Sequence, residues 1–143
     1  QTRLNASYTI TEDMELEEGG SDEKGYGYGM SSKNTKAEKY DCYMGIKYNA
    51  CDCLVTTHNG IFLPFSNLGA IIVIDEENQN YNNENYPYYR ASDVLDYRSE
   101  YHNSKILYTS ASPSIYNYYR ALTGKLKLLS AILFKEDIFI LLI

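Results

Sequence analysis

No basic stripe runs through this sequence. Lys and Arg number 13 against 19 Asp and Glu, giving a net charge of −6. A chain that holds nucleic acid by itself clusters Lys and Arg to displace counterions from phosphates, so weak or no DNA binding by this chain alone is expected. Cysteine is scarce and odd in number: Cys42, Cys51 and Cys53. With no apolar leader or Met at Gln1-Thr2-Arg3, free thiols in a reducing cytoplasm are expected, in a chain that begins within a longer protein. Cys51-Asp52-Cys53 has the wrong spacing for a zinc knuckle, and no second pair completes four ligands. Long apolar runs are missing too. Lys135, Glu136 and Asp137 separate residues 131–134 from 138–143, and neither piece approaches the roughly 20 residues that cross a bilayer. The segment 138–143 therefore reads as a buried strand and no membrane partner is expected.

What is present suffices for a core. The hydrophobic fraction of 44% excludes wholesale disorder, and 143 residues fit one domain or part of a larger one. Acidic groups near its start suggest a short helix over 12–18, ended by Gly19-Gly20. Ser31 and Ser32 can cap a second over 33–48, where Tyr40, Tyr43, Met44 and Lys47 recur at helical spacing. Strands are expected at 53–55, 70–74, 105–109 and 125–129, and helices at 89–101 and 113–122. The run Ala70-Ile71-Ile72-Val73-Ile74 suits the centre of a parallel sheet covered on both faces. Between it and the next helix, residues 78–89 are rich in Tyr and Asn; they read as a long polar loop whose tyrosines pack it against the domain. Alternating strands and helices indicate an α/β parallel sheet.

Ligands of an open parallel sheet gather at the carboxyl ends of its strands. Three predicted strands end in polar clusters: Thr56-Thr57-His58-Asn59, Asp75-Glu76-Glu77-Asn78 and Ser110-Ala111-Ser112-Pro113. In a parallel sheet all three lie along one edge. An apolar strand ending in Asp-Glu meets the needs of a nucleoside triphosphatase, with the Asp holding hydrated Mg²⁺ and the Glu polarising water. Each cluster alone has a simpler reading: acids that solvate a loop, or Ser and Pro that start a helix. The same holds for Asn5-Ala6-Ser7, a glycosylation pattern without other signs of secretion, and for His58 and His102, which have no obvious Ser or Cys partner.

Order and context add to this. Val55-Thr56-Thr57-His58-Asn59-Gly60-Ile61-Phe62-Leu63-Pro64-Phe65, then Asn67-Leu68-Gly69 into the Ala70–Glu77 stretch, resembles the PriA (primosomal protein N′) family of replication-restart helicases. The resemblance continues through Tyr81, Tyr89-Arg90-Ala91-Ser92-Asp93-Val94 and Tyr97-Arg98 to Ser110-Ala111-Ser112-Pro113-Ser114 and Tyr119-Arg120-Ala121. It covers roughly residues 27–130, with a specific core over 54–121. It implies part of a RecA-like first motor lobe over 1–130, followed by an apolar tail, 131–143, which is either a sheet strand or a product of frameshift or read-through.

The resemblance further implies an ATP-dependent 3′-5′ DNA helicase that works at stalled forks with primosome proteins. Asp75 (Mg²⁺ through water) and Glu76 would be catalytic, and Glu77 and Asn78 would complete the box, where the family usually ends in His. Ser110, Ala111 and Ser112 would couple hydrolysis to movement, with Ser112 in place of Thr. Thr57, His58 and Asn59 are the candidates for DNA contact, with Thr56, Thr57 and His58 standing where the family has Gly-Thr-Arg. That contact is weakened, because His is largely neutral at pH 7. The family's cysteine-rich zinc module would fall downstream, so zinc ligands are absent here. The phosphate loop G-x-x-x-x-G-K-[ST] is also absent from these 143 residues: Gly124-Lys125 is followed by Leu126, with Tyr119 five places before Gly124. Without it, no ATPase turnover by this chain alone is expected. The alternative is a non-catalytic interaction module, or a remnant, derived from such a lobe.

Overall fold

A computed structural model describes residues 6–10, 27–30, 33–133 and 136–142. The expected helix over 12–18 and the caps Ser31 and Ser32 lie outside them. Among the described residues seven strands form one sheet in the order β2-β3-β1-β4-β7-β9-β8. They are β1 (Ala6–Ile10), β2 (Gly27–Met30), β3 (Cys53–Thr56), β4 (Leu68–Val73), β7 (Lys105–Ser110), β8 (Lys127–Leu133) and β9 (Glu136–Leu142). The first five are mutually parallel; β9 runs antiparallel to β7 and β8. A two-stranded antiparallel ribbon, β5 (Asn82–Asn83) and β6 (Tyr89–Arg90), stands apart. Among the described residues three helices accompany the sheet in this α/β fold: α1 (Lys36–Lys47), α2 (Ala91–His102) and α3 (Ile115–Leu122).

The expected apolar strand is the fourth of seven, between β1 and β7. Ile71 and Val73 are buried, while Ala70 and Ile72, which alternate with them, are half-buried, so one face is sealed there and the other only partly covered. Ile71 and Ile106 pair across β4 and β7, and both are fully buried. Leu54 of β3, Ile46 of α1 and Leu95 of α2 join the same core. Each such side chain contributes roughly 1.5–3 kcal/mol of burial free energy. α2 packs on β4 and β7 through Ala91, Leu95 and Ser99.

Several boundaries differ from the sequence reading, each for a local reason. α1 begins at Lys36 because Thr35 and Glu38 form a reciprocal capping box: Thr35 N donates to Glu38 Oε2 at 2.7 Å, and Glu38 N to Thr35 Oγ1 at 3.3 Å. Its buried residues are Cys42 and Ile46, whereas Tyr40 and Tyr43 are exposed. α2 starts two residues late because Tyr89 and Arg90 pair with Asn83 and Asn82. It ends at Asn103, whose left-handed φ of 51° is a common helix stop. α3 begins at Ile115 and not at Pro113, because Ser114 caps it through Asn117 N.

The sheet is not wholly parallel, since β8 and β9 form an antiparallel pair and put the 136–142 stretch beside β7. β1 and β2 were not foreseen. The polar loop 78–89 contains a 3₁₀ turn, Gln79–Tyr81, and the ribbon. Tyr81 is buried and donates to Ile74 O at 2.7 Å, and Tyr89 meets Phe62 edge-on at 5.2 Å. Those two tyrosines pack the loop as expected, but Tyr86 and Tyr88 remain exposed. Among the described residues no helix is long and apolar enough to cross a membrane.

Candidate functional site

β3, β4 and β7 are parallel, so the three polar clusters that follow them emerge along the same sheet edge. The first stands somewhat apart. β1 lies between β3 and β4, which separates them by two strand spacings, roughly 10 Å. Thr57 precedes a 3₁₀ turn, His58–Phe62, in which Thr57 and His58 are half-buried and Asn59 is exposed. Arg98 of α2 donates to Ile61 O and fastens that turn to the helix. Thr56 is buried beneath it.

The second and third clusters meet directly. Asp75 leaves β4 with a left-handed φ of 53° and an exposed side chain, and Asn78 N closes the turn onto Asp75 O at 2.9 Å. The turned backbone sends Glu76 toward β7, where its N–H donates to Thr109 O at 3.1 Å. Both carboxylate oxygens of Glu76 reach α3: Ser114 N donates to Oε1 at 2.6 Å, and Ser114 Oγ and Asn117 Nδ2 to Oε2 at 2.8 and 2.7 Å. A carboxylate at the start of a helix, accepting backbone and side-chain donors, is in a favourable field. Glu77 is exposed, and Asn78 uses its side chain locally, accepting from Asn80 N. In the third cluster Ser110 is buried and its Oγ accepts from Ser112 N at 2.9 Å. Ala111 and Ser112 are exposed.

Sequence reasoning assigned no role to the polar residues behind Glu76. Asn117 is buried, and its Oδ1 accepts from Arg120 at 3.0 Å. Arg120 pairs with Asp96 of α2 at 2.7 Å, and the other Asp96 oxygen accepts the Tyr108 hydroxyl at 2.8 Å. Burial is the main influence on Asp96 and pushes its carboxyl above the usual range, while the Tyr108 hydroxyl and the Arg120 guanidinium oppose it. Burial, and then the Asp96 charge, push the Tyr108 hydroxyl well up. The signal that could have found them is the helical spacing of Ser114, Asn117 and Arg120, which share one face of α3.

A cleft of about 210 Å³ opens beside Glu76, between the Asp-Glu turn and the starts of α2 and α3. At its rim the Arg90 guanidinium lies 4.1 Å above the Tyr116 ring, and the Tyr116 hydroxyl donates to Asp93 at 3.1 Å. Of the cysteines, Cys42 and Cys51 are buried and Cys53 half-buried. Among the described residues no three His, Cys, Asp or Glu side chains gather into a metal-binding group.

These features define a class: an α/β segment whose parallel strands end in an Asp-Glu turn and a Ser-rich turn, joined through the start of a helix. Comparison with known proteins names the family. The chain is 37% identical over 101 residues to Replication restart protein PriA of Bacillus subtilis, which covers 71% of this chain and 12% of that protein. It is 33% identical over 100 residues to the PriA of Rickettsia prowazekii, covering 70% and 15%. With the PriA of Chlamydia muridarum the identity is 30% over 94 residues, covering 65% and 12%. No family model matches the chain. The chain carries a partial PriA-like segment, and it spans only 12% to 15% of the length of these curated relatives.

Proposed function

We propose that this chain is part of the RecA-like first motor lobe of an ATP-dependent 3′-5′ DNA helicase acting in replication restart. The observation that carries the reading is the union of the Asp-Glu turn with the Ser-Ala-Ser-Pro turn, made by Glu76 on Ser114 within a PriA-like sequence. Residues 1–130 are assigned to that lobe. Residues 131–143 follow as the apolar C-terminal tail; β8 runs across the boundary and β9 pairs with β7, which supports the sheet-strand alternative for this segment over a frameshift or read-through product.

In the intact protein Asp75 would hold Mg²⁺ through water. The donor set fits: Mg²⁺ in nucleotide sites keeps several waters and takes only one or two carboxylates besides phosphate oxygens, and Asp75 is exposed with Glu76 beside it. The ion would supply neutralising charge for the phosphates of ATP. Glu76 would orient and polarise water, for which Oε1, accepting only from Ser114 N, keeps a free lone pair. Glu77 and Asn78 complete the turn. Ser110, Ala111 and Ser112 would pass movement from the nucleotide edge into α3, and Thr57, His58 and Asn59 would face the DNA backbone. Forked or single-stranded DNA and primosome proteins would be the partners, in the cytoplasm, and a zinc module would belong to other parts of the intact protein.

The 143 residues alone are expected to show no Asp75-dependent ATP turnover, for want of a phosphate loop. The test is to sequence the coding region on both sides, express the extended chain and measure DNA-stimulated ATP hydrolysis with and without Asp75→Asn. An in-frame G-x-x-x-x-G-K-[ST] and a loss of turnover in the variant are expected. Flanks that supply no phosphate loop, or turnover indifferent to Asp75, would sink the reading. The second reading, a non-catalytic interaction module, is favoured by α3, where Ile115, Tyr118, Tyr119 and Leu122 form an exposed apolar stripe. Absence of nucleotide binding by the extended chain would favour it.

A further inference from the structure

Glu76 stands at one end of a line of polar side chains that crosses from the Asp-Glu turn through α3 to α2 and β7. Asn117, 1% exposed, donates from Nδ2 to Glu76 Oε2. Its Oδ1 accepts from Arg120 Nη1, Arg120 Nη2 meets Asp96 Oδ2, and Asp96 Oδ1 accepts from Tyr108. The chemistry of the two ends leaves Asn117 one orientation. A guanidinium only donates, so it must face the amide oxygen; an ionised carboxylate only accepts, so it must face the amide nitrogen. Arg120 thus selects the amide orientation that presents a donor to Glu76. Its own geometry is fixed in turn, because one planar fork serves Asn117 and Asp96 together, which the point charge of a Lys does not reproduce.

We propose that Arg120 is a positioning residue for Glu76, acting through Asn117 and held by Asp96, so that α2, α3 and the Asp-Glu turn share one polar lock. The proposal rests on the reading of Glu76 as the group that polarises water. Ser110, Ala111 and Ser112 lead into α3 within a few residues. A shift of α3 against α2 would open the fork, free the Asn117 amide to turn and loosen Glu76. In this way the coupling residues would control when Glu76 is released toward water.

The lock is testable in the 143-residue chain by NMR with ¹⁵N-labelled amides and ¹³C-labelled Glu. Arg120→Gln is expected to speed exchange of the Ser114 and Asn117 amides about tenfold, the scale of losing a hydrogen bond to a charged group. It should also move the Glu76 carboxyl carbon signal, while the Ile71 and Ile106 amides keep their exchange rates. Arg120→Lys keeps the charge and is expected to give the same changes at Asn117 and Glu76. Should the Gln variant lose the dispersed spectrum of a folded chain, the Lys variant decides. Unchanged Asn117 and Glu76 signals in a folded variant overturn the proposal. Nucleotide turnover is not a readout, so failure of the helicase reading and failure of the lock are separate results.

Discussion

Asp96 on α2 and Arg120 on α3 form an ion pair at 2.7 Å with side-chain exposures of 24% and 11%, yet burial still outweighs the pairing and raises the Asp96 carboxyl. An acid whose pKa is raised on folding binds more protons in the native state than in the unfolded chain. Its contribution to stability is therefore fully present below the unfolded value, about 3.9, and is lost as pH rises through the folded value. An amide in its place carries no such titration. In urea unfolding from about pH 4 to about pH 7, Asp96→Asn is expected to gain on the wild type as pH rises. A difference moving the other way would show that Arg120, not burial, governs Asp96.

Gly60 lies in the 3₁₀ turn after β3, and a Cβ there would fall on the side chain of Thr56, which is buried and cannot swing away. Gly60→Ala is expected to destabilise the chain by about 1–3 kcal/mol, the usual range for overpacking a core. The neighbouring Asn59 is exposed, and Asn59→Ala should stay within roughly 0.5 kcal/mol of the wild type. Chemical denaturation of both variants checks the pair. Equal losses would place the strain elsewhere in the turn.

The cysteines are expected to differ in reactivity because they differ in burial. Burial pushes the Cys51 thiol up to about 11, so at about pH 8 roughly one molecule in a thousand carries the thiolate that alkylates. Cys42 is also buried and raised, whereas Cys53 is half-buried. With iodoacetamide on the folded chain, peptide mass spectrometry should find Cys53 modified first and Cys51 last. Modification of Cys51 ahead of Cys53 would contradict the packing around β3.

How much of this was legible follows from where each signal resides. The apolar run of β4 announced both itself and its central place, because a strand sealed in a sheet needs consecutive apolar residues. The Asp-Glu and Ser-Ala-Ser-Pro clusters could be set on one edge from strand direction alone. β1 was missed although Ala6-Ser7-Tyr8-Thr9-Ile10 alternates apolar and polar residues as a strand can; its place between β3 and β4 has no local signal. Nor do the partners of Glu76 have one. Asn117 lies 41 residues away in sequence, and the helical spacing of Ser114, Asn117 and Arg120 marks a shared face of α3 without marking the carboxylate that it meets. In α1 the recurring Tyr40 and Tyr43 marked the helix but not its inner face, which Cys42 and Ile46 occupy.

Asp75 sits at a left-handed φ of 53° where β4 turns to present Glu76. Asp and Asn tolerate this region because their short polar side chains bond locally, whereas Ala meets the full clash between Cβ and the backbone. Asp75→Ala is therefore expected to cost about 1–2 kcal/mol, and Asp75→Asn close to nothing. The distinction bears on function. The Ala variant mixes loss of the proposed Mg²⁺-binding charge with a distorted turn, which would also shift the three hydrogen bonds at Glu76. The Asn variant removes the charge and keeps the turn. Thermal unfolding, together with the Ser114 amide signal as a monitor of Glu76, should separate the two variants. An Asn variant as unstable as Ala would mean that the Asp75 carboxylate itself holds the turn, and that its place at the sheet edge is structural before it is chemical.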